Sequence, residues 1–354
     1  MKTELPVRRE ILERKTYEPP AEGRWGKIRL DFNENTAGCS PAVRRALVRL
    51  SEKKLAMYPE VLAGTAKLAK YFRVAPEELV LTNGGDDALR VFFDAFVDKG
   101  SSILICEPTF PMYRYYGEIY GARIDVCRYD AEMRFPLTDV LKRLKKQPRV
   151  FFLANPNNPT GTLVPLPGLK KILEAAPRTA VVFDEAYAEY SGLTTVPWIR
   201  KFPNLFVART FSKAAGLASL RLGGVIAQRH SLELVRRAMP PYPINLAALV
   251  AAVAAVQDQK AVRKHIREVL RTRAWLAEEL IAIGARAFPS AGNFLLADFG
   301  PEGPALFERL EKKGILLRDR SKAIAPGFVR IGIGTRREMV TLLREIRKLW
   351  RQER

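Results

Sequence analysis

Val181-Val182-Phe183-Asp184-Glu185-Ala186-Tyr187 is an apolar run closed by two carboxylates and, three positions after the first of them, a tyrosine. The run is β-branched and aromatic, and its apolar residues are consecutive rather than alternating. That is the pattern of a strand buried on both faces, as in a mostly parallel sheet sandwiched by helices. Four other runs read the same way: Ile103–Cys106, Val150–Leu153, Leu205–Val207 and Gly224–Ala227. Helical stretches such as Asp87–Phe96 fill the intervals from about Val80 to Ala227, which predicts an α/β fold. Open α/β sheets hold their ligands beyond the carboxyl ends of the strands, which is where Asp184 stands.

Outward from this block the texture changes on both sides. The first forty residues carry Pro19-Pro20, Gly23, Gly26 and Gly38 and read as an extended arm. A helix is expected to open at Ser40-Pro41, with the serine as cap and the proline in the first turn. After Pro240-Pro241-Tyr242-Pro243 comes a long helical stretch from Leu246 to Ile283, broken near Asp258. A strand (Asn293–Asp298), a helix (Gly303–Lys313), two short strands (Gly314–Leu317 and Phe328–Ile333) and a basic helix complete the chain. The expected division is an arm over 1–40 that joins a small domain, a large domain over 41–243, and a smaller α+β domain over 244–354.

Composition excludes several classes. The 354 residues are 47% hydrophobic and 27% charged, which suits an ordinary soluble protein. Cys39, Cys106 and Cys127 form no CxxC pair, and the only histidines are His230 and His265, so disulfide, zinc and transition-metal chemistry are not expected. The N-terminal stretch is charged throughout and has no apolar core, so no signal peptide is read there. The longest apolar run, Leu246 to Val256, is shorter than the ~20 residues a membrane helix needs. A cytoplasmic protein is expected. The net charge of +21 favours anionic partners without choosing among them.

Four segments carry chemistry. Thr210-Phe211-Ser212-Lys213-Ala214 follows a buried strand, and a lysine amid small and apolar residues is a candidate amine nucleophile with a lowered pKa. Asp184 can hold a proton on a pyridine-type nitrogen, and Tyr187 can aim a phenol into the same crevice; an aspartate capping the next helix would look the same. Asn155-Pro156-Asn157-Asn158-Pro159-Thr160-Gly161 is a rigid loop rich in donors, or simply a tight turn. Thr82-Asn83-Gly84-Gly85-Asp86-Asp87 leads into a helix whose exposed N–H groups suit phosphate.

Taken together, in this order and each at a strand end, these segments resemble the fold-type I aminotransferases that use pyridoxal phosphate. Within that superfamily the chain most resembles the histidinol-phosphate aminotransferases. The likeness rests on Leu30-Asp31-Phe32-Asn33-Glu34-Asn35, on Met57-Tyr58-Pro59, and on Arg209–Ala214 with Gly216-Leu217-Ala218 and Leu220-Arg221-Leu222-Gly223. Leu317-Arg318-Asp319 and Val329-Arg330-Ile331-Gly332-Ile333-Gly334-Thr335 extend it to the C-terminal region. Two positions depart from the family pattern: Thr36-Ala37-Gly38 replaces a proline and an aromatic, and Phe110 stands where tyrosine is frequent.

The resemblance implies roles by position. Lys213 would bind the cofactor covalently, and Asp184 would pair with its ring nitrogen. Tyr187 and Asn158 would contact the ring oxygen, and Phe110 would stack on the ring. Gly84, Gly85, Asp86, Ser212 and Arg221 would hold the phosphate, joined by Tyr58 from the neighbouring subunit of a homodimer. Arg330 would clamp a carboxylate, with Arg318, Tyr17 and Asn35 near the substrate. The implied activity is amino transfer between histidinol phosphate and 2-oxoglutarate in histidine biosynthesis. The weighed alternatives are a threonine-phosphate decarboxylase, an aromatic amino acid aminotransferase and, more remotely, a nucleic-acid-binding regulator. The partners implied are an amino donor and a 2-oxo acid, with no nucleic acid and no membrane.

Overall fold

The computed structural model describes residues 5–12, 14 and 22–350. Its central sheet has seven strands in the spatial order Leu79–Thr82, Gly223–Ala227, Leu205–Thr210, Ala180–Asp184, Val150–Ala154, Ser102–Glu107 and Arg123–Arg128. Gly223–Ala227 alone runs against its neighbours. The other pairs are parallel. All five expected runs are strands. Arg123–Arg128 was not among them because it lies at the sheet edge, where Arg123 and Arg128 face solvent and break the apolar pattern.

Each central strand feeds two cores. Phe151, Leu153, Val181, Phe183 and Val207 pack on one face. Val150, Phe152, Val182, Phe206 and Ala208 pack on the other. This is the period-two alternation of a strand with both sides covered. Burying each large apolar side chain contributes about 1.5–3 kcal/mol.

The helix Leu246–Gln257 follows the expected boundary at 243/244 and packs with the large sheet. Its Ala248, Leu249, Ala251, Ala252 and Ala255 are buried in the first of those cores. It packs against the helices Pro41–Val48 and Leu62–Phe72. A helix apolar all round is stable only when surrounded, and that core surrounds it. The helix ends at Asp258, whose carboxylate accepts from the Ala261 N–H at 3.4 Å and caps the helix Gln259–Ala282. Ser40 does not do the same for Pro41–Val48. Its hydroxyl is buried with no hydrogen-bond partner among the described residues.

Beyond Asp258 a four-stranded antiparallel sheet, in the order Arg318–Asp319, Phe328–Gly332, Phe294–Asp298 and Arg286–Ala287, packs with the helices Gly303–Lys312 and Arg336–Trp350. The arm touches both parts of the molecule. Ile28–Arg29 pairs in parallel with Ile315–Leu316. The short helix Arg9–Leu12 lies on Met112–Ile119, beside the large sheet. Parallel strands bring their carboxyl ends to one rim, so Thr82, Ala154, Asp184 and Thr210 end close together. No helix among the described residues is long and apolar enough to cross a membrane.

Candidate active site

A cavity of about 470 Å³ opens at that rim. This lies within the range of small-molecule sites, ~300–1,000 Å³. It gathers Gly85, Asp86, Phe110, Asn158, Asp184, Tyr187, Ser212, Lys213, Arg221, Arg318 and Arg330, residues drawn from both parts of the chain.

Lys213 stands three residues beyond the strand Leu205–Thr210. Its Nζ donates to the Phe32 carbonyl at 2.9 Å. Burial pulls the ammonium down to about 8, and the Arg330 guanidinium pulls the same way. Asp184 closes the adjacent strand. The Tyr113 hydroxyl donates to its Oδ2 at 2.8 Å, and the Ala186 N–H donates to its Oδ1 at 3.1 Å. Burial raises the carboxyl above its ordinary range, and those two donors oppose the rise. The Tyr187 hydroxyl accepts from Asn33 Nδ2 at 3.0 Å. Its pKa is raised, chiefly by burial.

The loop 155–161 separates its asparagines by task. Asn155 is spent on Val164, accepting from its N–H and donating to its carbonyl. Asn157 bonds Thr109, Thr160 and the Pro108 carbonyl. Asn158 faces the cavity, and its Oδ1 accepts from Arg330 Nη1 at 2.6 Å. Arg330 also donates to the Asp31 carbonyl, while its Nε is buried without a partner among the described residues. Burial pulls its pKa down to about 10, and neighbouring Arg320 and Arg318 add to that. Arg318 faces Arg330 directly across the antiparallel pair.

The start of the helix Gly84–Phe96 lies beside Arg221. Gly84 has φ +84°, and a Cβ there would lie 2.7 Å from Arg221 Nη2. Arg221 in turn donates to Asp86 Oδ2 at 3.0 Å. Thr210 Oγ1 bonds Ser212 Oγ at 3.0 Å. Helix N–H groups, hydroxyls and a guanidinium thus converge where an anion is stabilised. The cavity therefore holds a basic amine and a buried carboxylate together with the guanidinium groups of Arg221, Arg318 and Arg330.

The family model for aminotransferase class I and II matches residues 26–346. The chain belongs to the class I and II aminotransferases. Among curated relatives of this aminotransferase, a histidinol-phosphate aminotransferase of Geobacillus sp. (strain WCH70) is 35% identical, covering 92% of this chain and 91% of its own. One from Anaeromyxobacter sp. (strain Fw109-5) is 37% identical, covering 88% and 87%. The solved structure of histidinol-phosphate aminotransferase from Sinorhizobium meliloti in complex with pyridoxal-5'-phosphate shares the fold, with a TM-score of 0.88 at 24% identity, over 97% of this chain and 98% of that one.

Asn35 and Tyr58 do not line the aminotransferase cavity, nor does Gly84, which stands beside Arg221. Asn35 turns away: its Oδ1 accepts from the Ala37 N–H, and its Nδ2 stands where a Cβ on Gly216 would be 3.0 Å off. The reason is local. Asn33 takes a left-handed φ of +54°, which points Asn33 rather than Asn35 at Tyr187. Tyr58 is exposed on the surface, stacked on Tyr242 at 4.3 Å. Tyr17 lies outside the described residues.

Sequence reasoning missed Tyr113, Asn33, Arg320 and the pair Arg209–Glu185. Arg320 lines the cavity two positions after Arg318, a spacing that puts both on one side of an extended chain and was there to be read. Arg209 bonds Glu185 at 3.0 Å and Glu189 at 2.6 Å, tying together the strand ends that carry Lys213 and Asp184.

Proposed function

We propose that this chain is a pyridoxal-phosphate-dependent aminotransferase that moves the amino group of histidinol phosphate to 2-oxoglutarate, a step of histidine biosynthesis. The observation that carries the reading is the placement of Lys213 and Asp184 at adjacent strand ends, lining one cavity with Arg221, Arg318 and Arg330. The named activities of the curated relatives support the substrate.

The residues present fit the cofactor. The Lys213 amine is depressed toward neutrality, as a carbonyl-binding lysine must be. The Gly84 backbone leaves a cradle that a Cβ would fill. Asp184 would hold the proton of the ring nitrogen, and Tyr187 and Asn158 would hold the ring oxygen. Phe110 would cover a ring face. Gly84, Gly85, Asp86, Ser212 and Arg221 would hold the phosphate. When bound, the cofactor supplies an electron sink for the bond broken at the substrate α-carbon.

The remaining work belongs to the side chains. The Lys213 amine takes the proton from the substrate Cα and returns it, a positioned acid–base step of ~10²–10⁴ in rate. Arg330 pairs bidentately with the carboxylate of one substrate and the phosphate of the other, with Arg318 beside it. Tyr58, exposed on its own subunit, would reach the phosphate of a partner copy in a cytoplasmic homodimer, and Tyr17 would lie near the substrate.

The test is a half-reaction screen of purified protein with histidinol phosphate, phosphothreonine, phenylalanine and tyrosine, following the visible cofactor band and the products. Histidinol phosphate should bleach the band and yield its ketone. Efficient turnover of phenylalanine or tyrosine with histidinol phosphate untouched would overturn the substrate. Carbon dioxide released from phosphothreonine would overturn amino transfer itself.

A further inference from the structure

Tyr113 belongs to no motif, does not line the cavity and is fully buried, yet its hydroxyl ends on the carboxylate at the centre of the site. It comes from the helix Met112–Ile119. Its ring lies flat on Phe152, 5.3 Å between centroids, and meets Phe110 edge-on at 5.9 Å. Ring packing therefore fixes where the hydroxyl points, and it points at Asp184 Oδ2.

The groups facing Asp184 make that hydroxyl consequential. Asp86, from the helix Gly84–Phe96, and Glu185, from its own loop, both oppose a negative charge there. Tyr187 lies on the same loop, and Lys213 and Arg330 line the same cavity. The other donor to Asp184 is the Ala186 N–H, on Oδ1. A buried carboxylate stays ionised only where donors replace the water it has lost. Tyr113 is the side chain among the described residues that donates to it.

We propose that Tyr113 is a positioning residue whose hydroxyl keeps Asp184 ionised and aimed, so that the proton shared with the cofactor ring nitrogen stays on the nitrogen. This rests on the cofactor reading above. A tyrosine that stabilises the carboxylate makes it a weaker base toward that shared proton, which leaves the ring cationic.

Tyr113→Phe tests it, since it removes one oxygen and keeps the ring. In the loaded protein, the pH at which the visible band is lost on acidification should move up by about one unit, a tenfold change in the ionisation equilibrium. Affinity of the cofactor-free protein for added pyridoxal phosphate should fall by about the same factor. In an Asp184→Asn background neither quantity should respond to Tyr113→Phe, because the amide carries no charge to stabilise. A Tyr113→Phe protein that titrates like wild type, or one whose losses persist in the Asp184→Asn background, would overturn the proposal and leave Tyr113 as packing.

A second measurement does not need Tyr113→Phe to fold. The infrared difference between wild type and Asp184→Asn, both free of cofactor, reports the ionisation of Asp184 directly. A carboxylate at neutral pH supports the proposal, and a protonated acid overturns it. A wild-type protein that gains no visible band with pyridoxal phosphate would instead sink the cofactor reading, which separates the two failures.

Discussion

Lys213 Nζ donates to the carbonyl of Phe32 at 2.9 Å, a contact between positions 181 residues apart. A lone carbonyl is weak compensation for a desolvated ammonium, so burial pulls the lysine down to about 8 from an ordinary 10.5. In cofactor-free protein, labelling of Lys213 by an amine-reactive probe should reach half its maximal rate near pH 8, read peptide by peptide. The folded form binds its proton less tightly than the unfolded chain does. This group therefore favours folding progressively more as pH rises from about 8 to 10.5, and least below that window. Lys213→Ala should lose the visible band and all amino transfer; an active variant would remove the lysine from the chemistry.

Gly84→Ala should damage the phosphate end in two ways. A left-handed φ costs a residue with a Cβ about 1–2 kcal/mol. The new methyl would also sit 2.7 Å from the Arg221 guanidinium and displace it. Gly23→Ala is the control, with φ +67° and no atom of the described residues within 4 Å of the added carbon. Both variants should melt lower than wild type without cofactor. Only Gly84→Ala should bind pyridoxal phosphate at least about tenfold more weakly, as measured by absorbance titration.

Arg330→Ala should raise KM for both glutamate and histidinol phosphate. Loss of a buried, bidentate charge contact costs roughly 2–4 kcal/mol, or about 30–1000-fold in kcat/KM. Lysine should not rescue it, because Arg330 uses separate nitrogens for Asn158 and the Asp31 carbonyl while a third faces no acceptor among the described residues. Arg318→Ala should do less harm, since Arg330 remains across the strand pair. Steady-state kinetics on both substrates decides this.

Tyr58 and Lys213 should complement each other between subunits. Tyr58 stands exposed against Tyr242, outside its own cavity. In a mixture of Tyr58→Phe and Lys213→Ala proteins, hybrid dimers carry both lesions in one site and neither in the other. Activity should then exceed that of either parent once subunits exchange. No recovery after demonstrated exchange, or a monomer in sedimentation, would end the shared-site reading.

The parts that could be read early are those whose physics is local. Consecutive apolar residues mark strands covered on both faces, and five such runs are strands of the sheet. Asp258 could be read as a break because a helix interrupted by a capping carboxylate announces itself within a few residues. The boundary at 243/244 was read from a proline cluster, which signals a turn, whereas the buried alanines of Leu246–Gln257 show what they pack against only once Pro41–Val48 and Leu62–Phe72 are beside them.

The site divides along the same line. Lys213 and Asp184 were legible because each follows an apolar strand, and parallel strands deliver their ends to one rim. Asn33 and Asn35 were not separable, since their chemistry is identical and a single left-handed backbone angle decides which of them meets Tyr187. Tyr113 looked like any other aromatic on an amphipathic helix until the fold set its hydroxyl 2.8 Å from Asp184, 71 positions away. Apolar periodicity and turn chemistry are properties of neighbours along the chain, so the sequence alone determined the strands and where Lys213 and Asp184 stand relative to their ends. Which donor meets which acceptor across such separations depends on strand order and register, and these were decided only when both cores had packed.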